Sequence, residues 1–102
     1  MNSIECSVWN NGGSGWGLRV LGGLKVRHLH FRRSHSPVLI ELDGKWCDPN
    51  VDKDSFWNEN CGELIRKPLS DWINKHNLRT GDLVWLEVLE PHKKFRAILK
   101  AN

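Results

Sequence analysis

Four permanent cations, Lys25, Arg27, Arg32 and Arg33, fall in residues 25–35 with His28, His30 and His35, around an apolar pair, Leu29 and Phe31. Lysine and arginine neutralise backbone phosphates, and arginine can also grip a guanine edge through two parallel hydrogen bonds. No acid occurs from residue 6 to residue 40, where Arg19 joins the four cations for a balance of +5. The next block, 41–63, carries seven acids against two lysines, and residues 64–102 carry eight bases against four acids. Such segregation favours a one-signed surface, so the basic block is the first candidate for a ligand-facing surface. The competing reading is an ordinary basic strand and loop.

Other chemistry has weaker support. His28 and His30, two apart on a strand, would point the same way and, with His35 and Cys47, could be imagined as a zinc site. They lack the paired spacing of structural zinc ligands, so hydrogen-bonded or solvated histidines are the better expectation, with no metal and no cofactor. Cys6, Cys47 and Cys61 are odd in number, without a CxxC spacing or a surrounding nucleophile signature, and read as reduced thiols. Asp52, Asp54, Glu59 and Glu63 read as solvated acids and helix caps rather than a paired-carboxylate centre. The glycine-rich stretch 12–17 lacks a following Lys-Ser/Thr and a following helix, so it is a hairpin loop and not a phosphate cradle. Trp9 and Trp16 flank it as possible stacking surfaces. These readings leave a non-enzymatic protein as the expectation.

The 102 residues suffice for one domain, 1–102, with a core that needs no disulfides. Six tryptophans and three phenylalanines supply large, rigid packing units, most of them expected inside. No apolar run approaches the length of a membrane span, and no basic-then-apolar leader opens the chain, so a cytoplasmic protein without membrane contact is expected.

These candidates must be positioned by short strands. Residues 4–9 alternate with Ile4, Cys6 and Val8 on one face, and residues 16–21 return after the glycine-rich turn. Residues 24–31 alternate less cleanly and are predicted as an edge or rim strand. Residues 38–42, Asp43-Gly44 and residues 45–47 form a predicted hairpin. Residues 54–59 read as one capped turn, with Asp54 or Ser55 as the cap. Pro68 opens a helix whose apolar stripe is Leu69, Trp72, Ile73 and His76, closed by Asn77 and Leu78. Gly81-Asp82 turns into a last hairpin, residues 83–89 and 95–100. The sum is a mainly β, α+β domain with one or two short helices: a small open or closed β-barrel of about seven strands.

The helix with Trp72, then Asn77-Leu78, Gly81-Asp82, Leu83-Val84-Trp85-Leu86-Glu87 and Phe95-Arg96-Ala97-Ile98 resembles the closing portion of the plant-type DNA-binding pseudobarrel. That family also includes the effector domain of certain type II restriction endonucleases. Val38–Leu42 followed by Asp43-Gly44-Lys45-Trp46 is similar to its central hairpin. The resemblance spans roughly half the chain, while the first 35 residues depart from the family's opening. It implies DNA lying in a basic, concave surface. Lys25, Arg27, Arg32 and Arg33 would form one arm and Lys45 with Trp46 the other, Lys25 and Lys45 anchoring phosphates and Arg32 or Arg33 reading base edges. The alternative is a protein partner or target of inhibition met by exposed tryptophans. A small enzyme comes third.

Overall fold

The computed structural model describes residues 3–10, 12, 15–32, 38–49, 51, 53–58 and 61–99. The chain runs β1 (Ser3–Asn10), β2 (Trp16–Val20), α1 (Gly23–His30), β3 (Leu39–Leu42), β4 (Lys45–Cys47), α2 (Asp54–Trp57), β5 (Glu63–Leu64), α3 (Lys67–Lys75), β6 (Leu83–Glu90) and β7 (Lys94–Leu99). Among the described residues seven strands form one sheet in the order β4-β3-β7-β6-β1-β2-β5, curled into a half-barrel. Every pairing is antiparallel except β3 with β7. That parallel pair is possible because a long crossover separates the two strands.

Period-two patterning sets the concave face. Ile4, Cys6 and Val8 from β1, Val84 and Leu86 from β6, and Phe95 from β7 are all buried, as are Leu18 and Val20 from β2. Asp43 and Gly44 join β3 to β4 with φ of 52° and 89°. Two successive positive φ values match the strand twist of a tight hairpin and explain the Asp-Gly pair. α3 lies against β2, burying Leu69, Trp72 and Ile73. Asn77 closes it in the left-handed region (φ 55°), and the Leu78 N–H donates back to the Ile73 carbonyl at 3.1 Å. Ser70 holds the end of the glycine-rich hairpin by accepting the Trp16 N–H at 3.0 Å.

Two expectations need correction. Residues 24–31 are not a strand: Gly23–His30 is a helix, α1. The left-handed Gly22 (φ 97°) starts it, where an added Cβ would lie 2.4 Å from a Val26 methyl. Arg27 and Phe31, at i and i+4, are the buried positions of this segment, and Val26 packs against the core beside them, so an arginine takes a core position. Counting that arginine as surface hides the helical period and leaves the alternation of a strand. The strand count nonetheless stays at seven, because β5, which pairs Leu64 with Leu18 and Glu63 with Arg19, takes the vacated place. The domain is mainly β with short helices, as expected, and among the described residues the helices number three. Finally, α2 starts from Lys53 without a side-chain cap, so neither Asp54 nor Ser55 caps it.

Candidate nucleic-acid interface

The structure takes Arg27 out of the basic block. Arg27 is 1% exposed, and its guanidinium donates to the carbonyls of Phe56 and Asn58, tying α1 to the C-terminal end of α2. Burial lowers its pKa from the ordinary value. A guanidinium aimed at helix-terminal carbonyls satisfies acceptors that α2 cannot satisfy itself, so Arg27 is a structural strut and no phosphate contact. Lys25 is exposed on α1, and Arg32 is exposed beyond its end, donating to the His28 carbonyl at 3.1 Å. Arg33 and His35 lie outside the described residues.

The remaining histidines also follow from the helix. His28 and His30 diverge on α1: His28 lies against Trp57, with ring centroids 4.9 Å apart, while His30 is half-buried. Burial, and the nearby His92, hold the His30 pKa below its ordinary value. Among the described residues no three potential ligands cluster for a metal.

Tryptophan roles are now separable. Trp72 is core, Trp16 and Trp57 pack against the core, and Trp9 lies beneath the Arg19 guanidinium, 4.9 Å from its ring centre. The glycine-rich hairpin therefore does not present Trp9 and Trp16 as a pair of open stacking faces. Trp46 is different. It is the exposed member of the set, 48% accessible on the edge strand β4, with the Lys94 ammonium 5.9 Å from its ring centre.

Lys45 and Trp46, expected to form the second arm, are both exposed on β4. They line a cleft of about 400 Å³ between the β3–β4 hairpin and α3. Its apolar surface comes from Leu42, Trp46, Cys47, Pro68 and Trp72, and its cations are Lys45, Lys67 and Lys75. Two of the lysines are tethered: Lys67 pairs with Asp71 at 2.9 Å, and Lys75 with Asp43 at 2.9 Å. Lys45 forms no ion pair among the described residues. Asp43 also meets His76 Nε2 at 2.7 Å, and Lys75 with His76 and the Trp72 indole holds its carboxyl far below the usual carboxylate range. The Trp72 N–H contributes to that field yet closes no hydrogen bond of good geometry, and it is buried. Burial pushes the Cys47 thiol up, so it stands in the cleft as a neutral, apolar group. All three cysteines are free.

The start of α3 faces the same cleft through Lys67 and Pro68, with no acid in its first turn and no side-chain cap, so its positive end is not neutralised locally. Lys67, Asp71 and Lys75 share one helix face at i, i+4 and i+8. That spacing is visible in the sequence, but nothing local says the β3–β4 hairpin stands opposite. Comparison with protein-family models, characterised proteins and solved structures finds no match for the chain. Among the described residues no helix is long and apolar enough to cross a membrane.

Proposed function

We propose that this protein is a non-catalytic nucleic-acid-binding module and that its contact surface is the cleft edge built by β4 and α3. The observation that carries the reading is the convergence of Lys45, Lys67 and Lys75 around a cleft walled by the exposed Trp46. Ammonium groups at a rim suit the phosphates of a backbone, and an indole suits a base face or a sugar edge. The half-barrel agrees with the resemblance to DNA-binding pseudobarrels, with the working residues shifted from the basic block to the second arm. A cytoplasmic location belongs to the same reading.

Fluorescence anisotropy of labelled oligonucleotides, single-stranded and duplex, at low salt tests it. Binding should weaken steeply as salt rises. The double variant Lys45→Gln, Lys67→Gln should lower the log–log salt slope by roughly 0.7–0.9 per lysine lost. Absence of binding to DNA and RNA at low salt would overturn the proposal. A second reading, a protein partner, is favoured by Leu29, which stands 64% exposed on α1, away from the cleft. It is the reading to pursue if nucleic acids fail.

A further inference from the structure

We infer that the cleft between the β3–β4 hairpin and α3 accepts one unstacked nucleobase, so that the protein prefers single-stranded or locally unpaired nucleic acid over an intact duplex. The inference rests on the nucleic-acid reading and adds the form of the ligand. Three features select that occupant.

The first is size and shape. A volume of about 400 Å³ holds one nucleotide, whereas a duplex could only lie across the opening. The second is the wall chemistry. Trp46 stands in the wall and is half-exposed, while Leu42, Pro68 and Trp72 continue the apolar surface. An indole offers its face to the face of a base, and base faces are covered in a duplex and open in a single strand. The Lys94 ammonium over the Trp46 ring, 5.9 Å from its centre, adds a further cation beside the same aromatic.

The third is charge placement. The ammonium groups ring the apolar wall: Lys45 comes from the hairpin, and Lys67 and Lys75 come from opposite ends of α3. A base against Trp46 would leave its flanking phosphates at that rim. Asp43 and Asp71 each hold a lysine in place. Both carboxylates are exposed at the rim beside their lysines, so a free multiply charged anion would meet them there, whereas a neutral base against Trp46 brings a flanking phosphate that can lie toward Lys45, which forms no ion pair among the described residues. The pattern therefore favours a nucleotide within a strand over a free multiply charged anion.

The test uses the intact protein with a labelled short oligothymidine, a duplex of equal length, and the same duplex carrying one central unpaired thymidine. Expected is tighter binding of the single strand than of the duplex, recovery of affinity by the unpaired thymidine, and quenching of tryptophan emission on binding. Trp46→Ala should weaken single-strand binding about 5- to 150-fold, the range of lost base–aromatic stacking, and abolish the advantage over duplex. Trp46→Phe should restore most of it. Because Trp46 is half-exposed, Trp46→Ala should lower the urea midpoint only slightly and Trp46→Phe less, and this is checked alongside. Equal or tighter binding of the intact duplex, or an unchanged affinity in Trp46→Ala, would overturn the base pocket while leaving the nucleic-acid reading standing. Failure to bind any of the three probes would overturn both.

Discussion

The basic block around α1 and the cleft beside α3 each bring cationic side chains and an aromatic or apolar partner, but the two regions use charge in opposite ways. In α1 the central cation is turned inward: Arg27 holds the α2 carbonyls, and among the described residues Lys25 on the helix and Arg32 beyond its end are left facing solvent. At the cleft the cations are collected from β4 and both ends of α3, around an aromatic left open. Density of charge along the chain is thus a poor guide to density in space. A helix spreads consecutive side chains around its axis, whereas a hairpin facing a helix brings together residues dozens of positions apart.

The largest expected effect that tests this contrast is on stability. Arg27→Ala removes hydrogen bonds to the Phe56 and Asn58 carbonyls and leaves a cavity under α1, and should cost about 3–5 kcal/mol in urea unfolding. Whatever fraction remains folded should bind oligonucleotides with wild-type affinity. A stable Arg27→Ala protein with weakened binding would reverse the assignment and return α1 to the contact surface.

How much of this was legible in the sequence follows the same line. Strands β1, β3, β6 and β7 were readable because their apolar residues alternate and Asp43-Gly44 fixes a tight turn. α3 was readable because Leu69, Trp72 and Ile73 repeat at helical spacing below a proline. α1 was not, since its pattern closes only if an arginine is counted as core. β5 was not, because two residues carry no period. Of the cleft, Lys45 and Trp46 were identified. Lys67 and Lys75 were not, since their role depends on which strand the helix faces, and that is a tertiary fact.

A smaller effect concerns the exposed cations on α1 and just beyond it. Lys25→Gln with Arg32→Gln removes as much charge as the Lys45→Gln, Lys67→Gln variant. Its salt slope should nevertheless stay at the wild-type value, with affinity changed only about two-fold through the overall field. Equal loss of slope in both double variants would erase the distinction between the regions and imply a footprint that spans them.

The smallest effect is a pH dependence of stability in the α1 region. His30 is half-buried on α1, and His92, on the β6–β7 turn, reaches the same neighbourhood, its Nε2 3.2 Å from the Leu29 carbonyl oxygen. Burial first, and His92 second, lower the folded His30 pKa, while the unfolded chain retains a value of about 6.5. As pH falls through that unfolded value, the unfolded chain takes up a proton that the folded one refuses, so stability declines. The decline ends when pH passes the lower folded value and both states are protonated. Urea midpoints measured from about pH 7.5 down to about pH 5 should therefore drift downward in the wild type. His30→Gln should remove part of that drift, and Lys25→Gln, on the exposed side of the same helix, should leave it intact. A midpoint that rises on acidification, or a His30→Gln profile parallel to wild type, would show that α1 does not bury its titratable groups as the contrast with the cleft requires.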